Sequence, residues 1–413
     1  MKQLLFTFLT LCTLAASART IPVGPGEMVN TLRQGVTMAS DGDTVLLKGG
    51  TYKEGNIVIN KSIRLIGLDH PVLDGEHKYE ILTVTGQGIL IRGITFRNSG
   101  YSSMNDYASI SLIDARDCIV EENRIENAYF AIHVANAFEC LIRRNTILGE
   151  GKTEQTSGNG IHLWKCENIV VEENDVRGHR DGIYFEFVTR SYVYNNNSHE
   201  NIRYGLHFMF SNNDSYVENT FRNNGAGVAV MYSHHVLMHK NRFDANWGPN
   251  AYGLLLKEIS DAKIYGNDFH QNTVGILMES TNRVEATANR FRSNGWAMRI
   301  QASCNENEIT GNNFETNTFD VATNGTLMLN KFSYNYWDKY EGYDINRDGQ
   351  GDVAYHPVSM YSMVIEQNPN SVLLLRSFMV SLLDKAEKAI PSLTPENLTD
   401  EQPVMRRYHY DSN

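Results

Sequence analysis

The stretch that decides the fold runs Asn219-Thr-Phe-Arg-Asn-Asn-Gly-Ala-Gly227-Val-Ala-Val-Met231-Tyr-Ser-His-His-Val-Leu-Met-His-Lys-Asn241-Arg-Phe243. An Asn-centred phrase opens and closes it, about 22 residues apart, with a Gly-led alternation of apolar residues between. Working outward, the first phrase recurs as Asn123-Arg-Ile125, Asn145-Thr-Ile147, Asn174-Asp-Val176, Asn267-Asp-Phe269, Asn289-Arg-Phe291 and Asn312-Asn-Phe314. The second follows in step as Ala131-Ile132, Gly160-Ile161, Gly182-Ile183, Gly205-Leu206, Gly253-Leu254, Gly275-Ile276 and Ala297-Met298. Two phase-locked phrases built on short β-type triplets predict an all-β chain, a single-stranded right-handed parallel β-helix, over leucine-rich or helical repeats. Its coils stack at about 4.8 Å, so equivalent residues form ladders. An Asn at a turn then bonds its counterparts above and below, which is a scaffold role.

The repeat divides the chain. Residues 1–18 combine Lys2, an apolar run from Leu4 to Ala16 and Ala16-Ser17-Ala18, the pattern of a secretory signal peptide. Residues 19–340 are expected as one β-helix, 341–370 as an Asp/Asn/Gly loop and connector, and 371–413 as an amphipathic helix followed by an extended tail. Two insertions, Gly149 to Asn159 and Ala245 to Tyr252, interrupt the spacing, and loops that leave a repeat are where specificity is added. In the tail region Leu375, Phe378, Met379, Leu382, Leu383, Ala386 and Ile390 recur at helical steps until Pro391. Arg376, Asp384 and Lys385 lie within that run and argue against a membrane span, leaving a cap on the open end of the solenoid or a docking helix for a membrane partner.

The formal charge of −11 disfavours nucleic-acid or anionic-membrane partners. Beyond the signal segment the cysteines are Cys118, Cys140, Cys166 and Cys304; Cys118 and Cys140 each lie five residues before a ladder Asn and should stack on neighbouring coils, as buried thiols or as a disulfide.

Alternation places the first and third residues after each Gly inward: Ile161 and Leu163, Ile183 and Phe185, Leu206 and Phe208, Val228 and Val230. One outward column then reads His133, His162, Tyr184, His207, Ala229, Leu255, Leu277, Arg299; the other reads Ala135, Trp164, Glu186, Met209, Met231, Lys257, Glu279, Gln301. Solvated sheet faces are ordinarily polar and charged, yet this one carries imidazoles and thioethers. Met209, Met231 and His207, with His162 and His133, form a candidate copper site, because thioethers select Cu(I) over harder divalent ions. Packing of the same side chains beneath a loop or a partner fits the sequence equally. His70, His77, His179 and His199 show no such clustering and are expected as satisfied turn residues.

A second constellation, Asp344-x-Asn346-x-Asp348-Gly349-x-Gly351-Asp352, supplies oxygen side chains at alternate positions around a Gly turn, the first half of a Ca²⁺ loop. Tyr355 stands where the bidentate Glu belongs, so a calcium staple and a plain Asx-rich turn are both open.

Further phrases are Gly50-Thr51-Tyr52, Arg180-Asp181-Gly182-Ile183-Tyr184, Arg203-Tyr204-Gly205-Leu206-His207-Phe208-Met209, Gly227 to Tyr232-Ser233, Asn294-Gly295-Trp296-Ala297, Asn335-Tyr336-Trp337-Asp338 through Gly342-Tyr343-Asp344, and Ile390-Pro391-Ser392-Leu393-Thr394-Pro395. With these the chain resembles the NosD family, periplasmic β-helix proteins of the nitrous oxide reductase maturation system, over nearly its whole length beyond the signal segment. The resemblance implies a non-enzymatic, periplasmic accessory subunit, membrane-associated through an ABC transporter permease and its ATPase. It implies work with a copper chaperone to supply copper to nitrous oxide reductase, and no nucleic-acid partner. Phe208 and Phe210 flank Met209 where the family pattern has more Tyr. The competing class is a carbohydrate-active or carbohydrate-binding β-helix, since the fold also hosts polysaccharide lyases, hydrolases and epimerases. Glycoside hydrolysis needs paired carboxylates. Glu186 has no carboxylate neighbour in its column, and the Asp-Pro-His-Asp phrase of alginate epimerases is absent.

Overall fold

The computed structural model describes residues 18–101, 106–325, 329–375, 377–389 and 398–410. Residues 1–17 of the expected signal segment and the Ile390 to Pro395 phrase lie outside the described residues. Strands from Thr20–Val23 to Tyr336–Trp337 wind a parallel β-solenoid of about 14 turns, with coils about 23 residues apart. They stack into three parallel sheets of 14, 12 and 13 strands, with a typical coil giving one strand to each sheet.

Two features fix the register. The first is the Asn ladder, which runs Asn123, Asn145, Asn174, Asn196, Asn219, Asn241, Asn267, Asn289, Asn312, Asn335 with each Oδ1 accepting from the Nδ2 of the rung before, as at 3.0 Å between Asn219 and Asn241. Asn196 fills a rung the triplet reading passes over, because Ser198 replaces the apolar third residue there. The second is the buried ring column Phe221, Phe243, Phe269, Phe291, Phe314 and Trp337, whose stacking begins at 5.6 Å and closes at 4.0 Å between centroids. A second ladder, Asn201 to Asn317 through Asn224, Asn246, Asn272 and Asn294, occupies another corner.

Both ends are closed. At the first coil, α1 (Leu32–Met38) buries Leu32 and Val36, and Gly35 is required because a Cβ there would stand 2.5 Å from Val23 Cγ2. At the other end the C-terminal tail bridges the last strands of two sheets, and a helix packs on the last strand of the third. Asp400 bridges Phe332 and Tyr355, and its buried Oδ2 accepts from Asn335 N, Asn335 Nδ2 and Trp337 Nε1 at 3.0 to 3.1 Å, ending the Asn ladder with a carboxylate. Tyr408 N donates to Asn313 Oδ1, extending the strap.

Between the last coil and this strap sits a helical arm: α2 (Met360–Gln367), a 3₁₀ turn (Pro369–Leu374) and α3 (Phe378–Ala389). The continuous helix expected from Ser371 thus begins at Phe378, because the residues from Pro369 to Leu374 form a 3₁₀ turn. Helix α2 went unread because, at eight residues, it is too short for its apolar residues to show a helical period; Tyr361 and Ile365 pack on Phe319. No described helix is long and apolar enough to cross a membrane. Cys118, Cys140, Cys166 and Cys304 are buried free thiols, and burial pushes the Cys166 thiol up to about 11.

Candidate functional site

The 12-stranded sheet pairs its coils residue for residue, and the pairing sets the outward columns. His133 opposes His162, His162 opposes Tyr184, Tyr184 opposes His207 and His207 opposes Ala229; Glu186 opposes Met209, which opposes Met231. The inward set, Ile161, Leu163, Phe185, Phe208 and Val230, is fully buried.

Around Met209 the structure gathers His207 on the same strand and Met231 on the next coil, with the small, buried Ala229 beneath His207. Both methionines keep part of their surface in solvent, while His207 is 5% exposed. The expectation of an outward, exposed site is therefore corrected at His207, which faces outward but is buried because Asp181, Arg203 and Tyr204 wall it in: Tyr204 lies 4.9 Å from the imidazole, ring to ring, and Asp181 Oδ2 lies 3.5 Å from His207 Nδ1. Arg203 Nε donates to Asp181 Oδ1 at 2.8 Å. Burial works to raise the Asp181 carboxyl, but Arg203 and His207 hold it below its ordinary value, so it stays anionic. His207 Nδ1 thus faces both the Asp181 carboxylate and the Arg203 guanidinium, whose Nη2 lies 3.4 Å away, and these two neighbours orient the ring. His207 Nε2 is buried and has no hydrogen-bond partner. Tyr184 Oη donates to Met209 Sδ at 3.5 Å, fixing the thioether.

The five copper-candidate residues do not converge on one point. The rings of His162 and Tyr184 are 4.9 Å apart and those of Tyr184 and His207 are 4.8 Å apart, so His162 and His207 are separated by two coil steps, about 10 Å. Metal bonds to nitrogen and sulfur run near 2.0 to 2.3 Å, as at zinc, so one ion cannot take both. His207, Met209 and Met231 form one group; His133 and His162, 5.1 Å apart ring to ring, form another. Burial, with His133 and Arg180 close by, pushes His162 down to about 3, and burial also lowers His133, so both imidazoles are neutral at physiological pH.

The sequence reading missed three features. His179, expected as a satisfied turn residue, is buried with Nε2 unpartnered, and burial lowers it to about 4. Phe187, Phe210 and Tyr232 stack at 5.2 and 5.0 Å along the corner next to Glu186, Met209 and Met231, each in the left-handed backbone region at φ 55°, 51° and 54°. Bulky residues seldom sit there, and only the αL corner of each coil, invisible in the repeat, shows that the rings point to solvent. Asp181 was legible only as part of a phrase.

The calcium-like loop holds together through its own amides. Asp344 Oδ2 accepts from Gly349 N at 2.9 Å, Asp344 Oδ1 from Arg347 N at 2.6 Å, Asp348 Oδ1 from Gln350 N at 2.8 Å, Asn346 Oδ1 from Asp348 N at 3.0 Å and Asp352 Oδ2 from Ile345 N at 2.6 Å. These bonds are those of nested Asx turns, and they bring the side-chain oxygens to one loop.

The solenoid of three parallel sheets thus carries one soft, partly covered outer face, in which imidazoles and thioethers stand in register from coil to coil. A family model described as "Periplasmic copper-binding protein (NosD)" matches residues 143–347. The chain is 30% identical over 396 residues, 90% of both sequences, to a protein of Pseudomonas aeruginosa named "Probable ABC transporter binding protein NosD". It is 27% identical over 382 residues, 87% of this chain and 86% of the relative, to a protein of the same name from Stutzerimonas stutzeri. The chain belongs to the NosD family. Among solved structures, the A-module of the Azotobacter vinelandii mannuronan C-5 epimerase AlgE6 superposes with a TM-score of 0.51 at 13% identity, covering 73% of this chain and 87% of the module. Alginate lyase AlyF-OU02 gives 0.51 at 12%, covering 72% and 86%. At such identities the likeness is one of fold.

Proposed function

We propose that this chain is the periplasmic copper-carrying accessory subunit of an ABC transporter complex, receiving Cu(I) on one face of its solenoid and passing it on for copper-centre maturation of nitrous oxide reductase. The observation that carries the reading is the group at Met209. Two thioethers stand in register on adjacent coils beside an imidazole whose Nδ1 faces a buried carboxylate and whose Nε2 is bare. Thioether and imidazole donors suit Cu(I), while a carboxylate behind the imidazole orients it as in metal sites generally. The thioethers remain accessible from solvent, which suits transfer to and from a copper chaperone, and the strip of exposed Phe187 and Phe210 with half-buried Tyr232 offers that chaperone an apolar footing.

The family description supports the compartment and the metal, and the relatives' names support the transporter. The reductase rests on the family resemblance. The helical arm is our candidate for the transporter contact, since Leu373, Phe378 and Met379 are 87%, 79% and 59% exposed and Leu374 and Leu382 lie beside them. A glycoside-hydrolase reading has less support, since no two neighbours in the two outward columns are both carboxylates, and Glu186 lies between Trp164 and Met209.

The test is anaerobic Cu(I) competition against a chromophoric chelator. A Met209→Ala/Met231→Ala variant keeps its melting temperature to within a few degrees and loses at least tenfold in Cu(I) affinity. Equal competition by variant and wild type would remove the assignment. For the arm, Leu373→Ser/Phe378→Ser/Met379→Ser should leave the solenoid folded and abolish co-purification with the permease and ATPase.

A further inference from the structure

The same outer face holds a second group of metal-binding side chains that the Met209 group cannot use. His133 and His162 pair directly across adjacent strands, with rings 5.1 Å apart and tilted by 43°. Both nitrogens of His162 are buried without a hydrogen-bond partner. Its neighbours explain the burial but not the imidazole: Phe130 stands 5.3 Å away and Tyr184 4.9 Å away, ring to ring, so a phenylalanine at this position would complete the same ring column without stranding polar atoms. A buried polar atom with no partner is costly and is retained where it meets water, an ion or a ligand. His133 keeps part of its surface in solvent and gives access to the pair. Tyr184 separates this pair from His207.

The ion that suits two imidazoles is a soft, low-coordinate one. Zinc and other divalent ions take four or more ligands, and no cluster of three or more His, Cys, Asp or Glu side chains able to hold a metal occurs among the described residues. Cu(I), with a filled d shell, is satisfied by two neutral nitrogens.

We infer that His133 and His162 form a second Cu(I) station, distinct from Met209, Met231 and His207, so that the face carries two ions in line along the solenoid. This rests on the copper reading above and extends it: the cargo is two ions, held by chemically different donors on either side of Tyr184. The thioether-rich station lies nearer the exposed aromatic strip, and the bis-imidazole station lies beyond it. Cu(I) passing between them exchanges ligands without change of oxidation state, so no oxidant or reductant is needed.

The experiment is an anaerobic titration of the purified chain with Cu(I) acetonitrile, reading bound copper per chain after equilibrium dialysis. Wild type should hold two ions. His133→Gln/His162→Gln should hold one, Met209→Ala/Met231→Ala should hold one, and the combined variant none. A His133→Phe/His162→Phe pair, which keeps the ring packing, guards against a folding artefact: it should melt at or above the wild-type temperature and also hold one ion. If wild type holds one ion that only the methionine variant loses, the second station is overturned while the Met209 site stands. A single ion lost in every variant means one shared site and also overturns it. If wild type holds none, both readings fall together.

Discussion

Two outer faces of the same coils differ in what they do with polar atoms. On the 14-stranded sheet the outward column Arg92, Glu121, Arg143, Glu172 neutralises itself: Arg143 Nη2 lies 2.7 Å from Glu121 Oε2 and Arg143 Nη1 lies 3.7 Å from Glu172 Oε1. On the 12-stranded sheet the column His133, His162, Tyr184, His207 is ring-stacked and leaves ring nitrogens of His162 and His207 without hydrogen-bond partners. Backbone, register and coil spacing are shared, so the scaffold does not require the second arrangement. The lesson is that a solenoid separates folding from function by direction: what points inward or along a ladder holds the coil, and what points outward from one sheet is free to bind.

That separation can be broken at neighbouring residues. Phe208→Asp should destabilise the chain by several kcal/mol, since it buries an unpaired charge in the core; Met209→Ala, one residue on and facing outward, should cost about 1 kcal/mol. Urea midpoints measure both, and similar values would erase the distinction between faces. Next in size, Asn219→Ala removes the acceptor for Asn196 N and Nδ2 and the donor to Val193 O. Orphaned buried groups cost about 1 to 3 kcal/mol each, so we expect a loss of about 2 to 4 kcal/mol with copper binding unchanged. Glu121→Gln, which removes the charge of a buried carboxylate paired with Arg143 and Arg144, should cost about 2 kcal/mol and leave Cu(I) affinity as it is.

One interior rung is imperfect and gives a pH test. Asp214 is buried, with Oδ1 accepting from Ser191 N at 2.8 Å and Oδ2 unpartnered. Burial pushes its carboxyl up to about 8. A carboxyl raised in the folded state contributes stability that is fully present below its unfolded value, about 4, and lost as pH rises towards 8. Asp214→Asn should therefore gain on wild type between pH 5 and pH 8, measured by urea midpoints at each; a constant difference would show that Asp214 is ionised throughout. The smallest effect concerns the Asp344 to Asp352 loop, proposed as a calcium staple. Millimolar Ca²⁺ should raise the melting temperature by a few degrees in wild type and not in Asp348→Ala, by mass action.

The period of the Asn and Gly phrases made the coil and both outward columns legible, because a parallel solenoid repeats register and alternation fixes direction. What stayed hidden depends on contacts distant in sequence. Asp400 ends a ladder begun at Asn123, yet nothing near it repeats the phrase. The burial of His207 by Asp181 and Arg203 comes from the preceding coil and from the start of its own strand. The partition of five ligand candidates into two groups needed the spacing of coils, since residue types alone place them in one list.

The most direct test of the central claim is a crystal structure of the Cu(I)-loaded chain with anomalous data at the copper edge. The account predicts a peak bound by Met209 Sδ, Met231 Sδ and His207 Nε2. Copper found elsewhere, with these three side chains packed as they are here and no density between them, would contradict it.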